Sequence, residues 1–313
     1  MSKHVIAGAG QVGSQLATAL AERGHEVVLV SRSGSGPDNV TKVAADVADA
    51  DKLSEIADGA AALYNCVNPA YHRWLTDWPP MAAGMLAAAE RTGAVYVMLG
   101  NLYVYAEPTA PLRESDPLKP SSAKAEVRAR MWRDALAAHE AGRVRVTEVR
   151  ASDYFGPSCK DQSHLGERFI PRLFAAKPVQ FAGDPSQPHS WTYVPDVVEA
   201  LIIAAENERA WGRAWHVPTA PPRTARQIAA DVCRLEGIED PGVKAIPGPV
   251  LTIGGLFSPM IRELRHVRYQ FIRPFTVDSS DFETAFGVKP TDMDAALTAT
   301  AAAWRRGGMP ESS

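Results

Sequence analysis

The sequence predicts an α/β protein: a doubly wound parallel sheet followed by a smaller C-terminal lobe. Three observations point there. Across the first half, short β-type runs alternate with amphipathic helical runs, the pattern of a parallel sheet covered by helices on both faces. A glycine-rich turn, Gly8-Ala-Gly10-Gln-Val-Gly13, joins the first of these strands to the first helix. In the second half Pro and Gly become frequent and the strand runs shorten.

Taken in order, the expected strands of the first half are His4–Ala7, Glu26–Ser31, Val40–Ala44, Ala62–Cys66, Ala94–Leu99 and Val144–Arg150. Helices are expected between them at Val12–Arg23, Ala50–Ala57, Pro80–Thr92 and Ser122–Ala141. Gly24 and Gly93 follow helical runs, where a left-handed cap is wanted. Val179–Ala182, Trp191–Val194 and Ala214–Val217 read as further strands; Val197–Asn207, Ala225–Glu236 and Met293–Arg305 read as helices. The first domain is expected to take residues 1–156 with returning segments 179–218 and 281–305. Residues 157–178 and 219–280 are left for the lobe, where the stretch Pro241–Pro274 has no clean period.

Composition narrows the function classes. The 313 residues carry 36 acidic and 33 basic side chains, a net charge of −3, which removes the basic footprint of a nucleic-acid binder. Hydrophobic residues make up 46%, enough for a large core without disulfide or metal staples. No apolar run approaches the length of a spanning helix, so no membrane partner is expected. Three widely spaced cysteines (Cys66, Cys159, Cys233) fit reduced thiols, and Met1–Ala7 lacks a charged-apolar-cleavage pattern, so a cytoplasmic location is expected. The eight histidines form no H-x-x-x-H or H-E-x-x-H pair, and no metal site is expected.

The turn Gly8-Ala-Gly10-Gln11-Val12-Gly13 has the context that phosphate binding asks for. One glycine permits the tight turn, the next lets backbone approach a pyrophosphate, and the third allows close helix–strand contact. The phosphates then lie over N–H groups at a helix N-terminus. At the end of the second strand, where an acidic residue would bind a ribose 2′-hydroxyl, the chain has Ser31-Arg32-Ser33. Arg32 can pair with a 2′-phosphate, so NADP(H) is favoured over NAD(H); the plainer, less favoured alternative is a solvent-exposed loop arginine. Asp46 and Val47 follow the third strand and either meet the adenine edge or cap the next helix. Cys66, Val67 and Asn68 close the fourth strand, at the sheet edge where the cofactor ribose is expected.

By this point the residues resemble extended short-chain dehydrogenase/reductases of the NAD-dependent epimerase/dehydratase type. Arg150-Ala-Ser-Asp-Tyr-Phe-Gly156-Pro157 is similar to that family's R-x-x-x-x-Y-G-P segment. Phe181-Ala-Gly183-Asp184 with His189–Val197, and Phe286-Gly287-Val-Lys-Pro290, resemble its later motifs. The resemblance implies a Rossmann domain with a smaller C-terminal substrate-binding lobe, and a homodimer. The departures are as informative. The glycine turn is one residue tighter than the family's usual G-x-x-G-x-x-G. The usual Ser/Thr, Tyr and Lys are absent: by the resemblance Asn101 falls on the Ser/Thr position, Lys124 on the Tyr and Arg128 on the Lys.

Proton transfer must then come from other groups. Lys124 is a candidate donor or cationic hydrogen-bond partner and also a cofactor contact; its helix carries Glu126, Arg128, Arg130 and Arg133, so a solvated surface charge is the plain alternative. Arg128 stays charged and suits a ribose or phosphate better than a proton shuttle. Tyr103, Tyr105 and Tyr154 lie just beyond the fifth and sixth strands, and Asn101 is a candidate oxygen-binding donor or a turn residue. Tyr71, Trp74 and Trp78, with Tyr154 and Phe155, form the expected aromatic pocket wall; Trp74 and Trp78, spaced i, i+4, fit a buried helix face as well. The expected activity is an NADP-dependent oxidoreductase acting on a carbonyl of a small hydrophobic substrate. The alternatives are a redox-neutral epimerase, dehydratase or lyase with retained NAD(P), and a non-catalytic NADP-binding sensor.

Overall fold

Six strands alternate with four helices over the first half of the chain: β1 (Lys3–Ala7), α1 (Gln11–Glu22), β2 (Glu26–Ser31), β3 (Thr41–Ala44), α2 (Ala50–Ala57), β4 (Ala60–Asn65), α3 (Trp74–Thr92), β5 (Val95–Asn101), α4 (Ala123–Glu140) and β6 (Val146–Ala151). There follow β7 (Asp153–Phe155), α5 (Ile170–Phe174), β8 (Val179–Phe181), β9 (Trp191–Tyr193), α6 (Val194–Glu206), β10 (Ala214–His216), α7 (Ala225–Glu236) and β11 (Val243–Ala245). Helices Ser280–Phe286 and Met293–Arg306 lie near the end. The computed structural model describes residues 1–159, 163–247 and 268–307. Most of Pro241–Pro274, including 248–267 of the expected lobe, lies outside the described residues.

Two units divide the chain. The first comprises Met1–Ala106, Pro117–Ala151 and Val197–Val217. Its seven strands are all parallel, in the order β10-β6-β5-β4-β1-β2-β3. Burial explains why these runs become strands: every residue of β6 is buried, as are the last four of β1 and four of β2, as a parallel sheet covered on both faces requires. The order reverses at β1, which pairs with β2 on one side and β4 on the other. Ligands bind at such a switch point, beyond the carboxyl ends of the strands. Gly24 and Gly93 take φ of +82° and +70° and close α1 and α3 as left-handed caps.

Helix α3 begins six residues before the expected Pro80, with Pro79 and Pro80 inside it. The carbonyls these prolines leave without a helical donor belong to Leu75 and Thr76, both exposed, where water can serve them. Buried Trp74, Trp78, Met81 and Met85 hold that stretch helical, and Trp74 Nε1 donates to the Pro69 carbonyl at 3.0 Å.

The second unit comprises Glu107–Asp116, Ser152–Asp196 and Pro218–Ser313. It holds two short parallel ribbons, β7 with β9 and β8 with β11. This allotment differs from the expected boundaries: 152–156, 179–196, 218 and 281–305 lie in the second unit, and only 197–217 returns to the first. The reason is apolar contact. Met293 and Leu297 share one core with Ile228 and Val232 of α7, Phe181 and Trp191. Arg234–Asp294 and Arg305–Glu236 ion pairs bind the same two helices at 2.7 and 2.6 Å. Among the described residues no helix is long and apolar enough to cross a membrane.

Candidate active site

The glycine turn divides into two glycines that packing demands and one that it does not. Gly8 has φ +106°, and a Cβ there would stand 2.6 Å from the Cys66 carbonyl oxygen. A Cβ on Gly13 would lie 1.9 Å from the Gly8 carbonyl oxygen. Both contacts fix α1 against β1 and the end of β4. Gly10 is different: it has φ −80° and ψ −170°, is exposed, and a Cβ there would meet nothing within 4 Å. It precedes the first turn of α1, half-buried Gln11 and buried Val12, whose amides have no acceptor within the helix. The space above Gly10 is therefore a cradle for a group from outside the chain, with positive helix-end character suited to a phosphate.

The neighbouring strand ends supply the rest of the rim. Ser31 ends β2, and its Oγ accepts from Ser35 N at 3.1 Å; Ser33 Oγ donates to Ser35 Oγ at 2.8 Å. Arg32 is exposed between them. Arg73 holds the Asp77 carboxyl below the ordinary value, and Arg32 adds to that from the β2 end. Exposed Asp46 accepts from Ala48 N at 3.0 Å, while the cap of α2 is Asp49, so the expected capping role belongs to Asp49. Val47 is buried, with α3 so close that a Cβ on Gly84 would lie 2.4 Å from the Val47 carbonyl oxygen. Buried Asn65 fixes the loop after β4: its Oδ1 accepts from Val67 N at 3.3 Å and its Nδ2 donates to Tyr96 OH at 3.1 Å. Cys66 is buried, which pushes its thiol up to about 12, while Asn68 is exposed.

The expected catalytic residues separate by burial. Tyr105 is fully buried and accepts from Arg150 Nη1 at 2.7 Å, so its own O–H donates to His216 Nε2 at 2.9 Å. Arg150 in turn donates from Nε to Glu148 at 2.6 Å. Burial opposes the Arg150 charge, but Glu148 and Tyr105 outweigh it and raise its pKa. Tyr105 is thus part of a buried ionic network rather than an exposed hydroxyl. Arg128, only 4% exposed, donates to the Leu99 carbonyl at 2.5 Å and lies over the Trp78 ring at 4.7 Å. These contacts brace α4 against β5 and α3. Asn101 Oδ1 accepts from Tyr103 N at 3.2 Å, the turn role that competed with oxygen binding.

Lys124 remains half-buried in the first turn of α4, its ammonium 3.9 Å from the centre of the Tyr71 ring. Tyr71 and Tyr103, also half-buried, flank Trp74 at 4.7 and 6.1 Å. Trp74 and Trp78 themselves are 4% and 1% exposed. They pack in the helix–sheet layer and are corrected as pocket walls.

In the second unit Phe155 is buried against Tyr193, again core, and the carbonyl of half-buried Tyr154 accepts from Ser163. There the structure assembles a cluster that sequence reading missed. His189 Nδ1 donates to the Gln270 carbonyl at 3.1 Å, and Nε2 faces Asp153 Oδ2 at 2.8 Å. His164 Nε2 lies 3.9 Å from the other carboxylate oxygen, with its ring 4.2 Å from Phe271. Burial pushes the Asp153 carboxyl up, but the His189 hydrogen bond and charge, with the charge of His164, leave it below its ordinary value. Burial lowers His164, and His189 adds to this against the attraction of Asp153. Asp153 stands in the quoted Arg150–Pro157 motif; the two histidines carry no spacing signal.

The sheet order, the glycine cradle and the sequence agree with a match of residues 4–217 to a known family model. The chain belongs to the NAD dependent epimerase/dehydratase family. It is 25% identical over 226 residues to UDP-glucuronic acid decarboxylase 1 of Arabidopsis thaliana, covering 65% of this chain and 52% of that protein. It is 24% identical over 258 residues to UDP-N-acetyl-alpha-D-glucosaminuronate decarboxylase of Bacillus cytotoxicus, covering 74% and 79%. The chain therefore spans about half the length of the Arabidopsis relative it matches. Among solved structures, a UDP-N-acetylglucosamine 4-epimerase from Methanobrevibacter ruminantium M1 aligns with TM-score 0.81 and 19% identity, over 98% and 99% of the two chains. A dTDP-glucose 4,6-dehydratase from Bacillus anthracis aligns with TM-score 0.79 and 14% identity, over 98% and 97%. At these identities the likeness is one of fold.

Three substitutions test this geometry. Gly10→Ala leaves the melting temperature within about a degree or two, because nothing in the chain meets its Cβ, yet weakens dinucleotide binding more than about tenfold. Gly13→Ala loses at least about 1–3 kcal/mol of stability through its clash with Gly8, as denaturant melts will register. Asp153→Asn lowers stability by about 1–3 kcal/mol at neutral pH. The lowered pKa means the carboxylate stabilises the fold fully above the unfolded value of about 4 and loses that effect as pH falls through the folded value. Melts from pH 3 to 8 check this: the gap between the two proteins persists above pH 5 and closes in acid.

Proposed function

We propose that the chain retains a nicotinamide dinucleotide over the Gly8–Gly13 turn and performs a redox-neutral conversion of a hydroxylated, nucleotide-sugar-type substrate. The observation that carries this reading is Gly10, whose missing side chain serves no packing need of the protein. Family membership and the decarboxylase names of the curated relatives support redox-neutral chemistry over net reduction of a carbonyl. Trp74 and Trp78, two members of the expected aromatic wall, are buried, which weighs against a hydrophobic substrate.

When bound, the dinucleotide supplies hydride acceptance and return. The chain's own residues do the rest. The amides of Gln11 and Val12 hold the pyrophosphate beside Gly10, and the Asn65-braced loop of Cys66, Val67 and Asn68 borders the ribose. Lys124, half-buried over Tyr71, serves as the cationic donor that holds a substrate oxygen, and Tyr103, which like Tyr71 packs on Trp74, is offered for proton exchange. At the β2 end, Arg32 and Ser33, standing in sequence where an acidic residue would bind a ribose 2′-hydroxyl, select the phosphorylated dinucleotide.

Incubating the purified protein with UDP-glucuronic acid and related UDP-sugars tests the reaction class. NMR is expected to show the sugar converted while the nicotinamide absorbance stays constant; stoichiometric change in the cofactor contradicts the redox-neutral reading. Arg32→Ala is expected to weaken NADPH about 10–100-fold and leave NADH unchanged in fluorescence titrations, whereas equal loss of both overturns the 2′-phosphate assignment.

A further inference from the structure

We propose that the first unit carries a transition-metal site, of the class that takes Zn²⁺, formed by His4, His25 and Glu206 at the sheet edge opposite the glycine turn. His4 lies at the start of β1, His25 immediately before β2, and Glu206 at the end of α6. One donor atom from each lies within 4.8 Å of the other two. Two imidazoles and one carboxylate make a donor set that Zn²⁺ accepts, with a fourth position for water. Bonds of about 2.0–2.1 Å require the donors to close by about an ångström.

The surroundings support ligation beyond that proximity. Ser2 Oγ lies 2.9 Å from both His4 Nε2 and His25 Nδ1 and so ties the two rings together, leaving the other His25 nitrogen, Nε2, on the side of Glu206 as its ligand atom. The rings meet edge-on, with centroids 4.6 Å apart and planes at 74°. His4 Nδ1 lies 3.1 Å from Tyr64 OH. Such a second partner fixes the ring and leaves Nε2 for the ion, as it does for metal-bound histidines in general. His25 Nε2 sits 3.9 Å from Glu206 Oε1, which brings the carboxylate to the cluster. His4 is buried, while the His25 and Glu206 side chains are 19% and 47% exposed, so an ion has a route in from solvent. Imidazole nitrogen disfavours Mg²⁺ and Ca²⁺, which prefer all-oxygen shells.

His4 stands four residues before Gly8 along β1, about 13 Å of strand. The ion ties β1, β2 and α6 together and takes no part at the dinucleotide. The ligands come from three distant segments, which is why no histidine spacing revealed them.

The test is calorimetric titration of the full, chelator-treated chain with Zn²⁺, with Mg²⁺ as control and Co²⁺ as a spectroscopic probe. One equivalent of Zn²⁺ is expected to bind, and Co²⁺ to give the visible bands of four-coordinate N/O ligation. His25→Ala and Glu206→Gln are expected to weaken Zn²⁺ at least about tenfold, and Tyr64→Phe by a similar factor, with dinucleotide binding unchanged as the control for folding. Absence of saturable Zn²⁺ binding overturns the proposal, and so does an affinity unchanged by either ligand substitution.

Discussion

The near contact of α1 with β1 and with the end of β4 is the constraint on which the rest of the first unit depends. Gly13 lies so close to the Gly8 carbonyl, and Gly8 to the Cys66–Val67 backbone, that any side chain at either position would displace the helix. That approach carries the N-terminus of α1 to the point where the strand order reverses. Helix-end amides, a bare α-carbon at Gly10 and the ends of β2 and β4 then surround one space. The phosphate-binding character of the site is thus a consequence of how tightly the first βαβ unit closes.

Close packing also explains why residues that occupy catalytic positions by the family resemblance are doing other things. The Arg150–Glu148 pair lies within the sheet, 2% and 1% exposed, with Glu148 Oε1 and Arg150 Nη2 lacking a hydrogen-bond partner among the described residues. A buried ion pair of this kind is costly to make and, once made, loses about 3–5 kcal/mol if one partner is removed. Tyr105 accepts from Arg150, and its hydroxyl also meets His216. Arg128 is held by the Leu99 carbonyl and the face of Trp78. Lys124, one turn earlier on α4, stays half-exposed and keeps the latitude that chemistry needs.

The strands of the first unit were legible because parallel strands buried on both faces read as continuous apolar runs bounded by polar turns. Gly8 and Gly13 were legible because backbone closeness leaves a mark in composition. The start of α3 was not, because Pro79 and Pro80 carry a breaker signal that the buried Trp74–Met85 stripe overrides. Nor were the unit boundaries, since the packing of Met293–Arg306 on α7 is tertiary and leaves no local pattern. The Asp153–His189–His164 cluster shows the same limit for the site: its members are ordinary in their own segments, and their chemistry exists only once β7 and β9 pair. Exposure decided the aromatic residues. An i, i+4 tryptophan pair has one sequence pattern whether it faces a pocket or a core.

The account's central claim is that this chain holds a nicotinamide dinucleotide as a retained component of the folded protein. Native mass spectrometry of the freshly purified protein, followed by acid release and identification of the nucleotide, tests it most directly. The account predicts one dinucleotide per chain, surviving gel filtration and dilution. A bare chain that takes up neither NADPH nor NADH would contradict it.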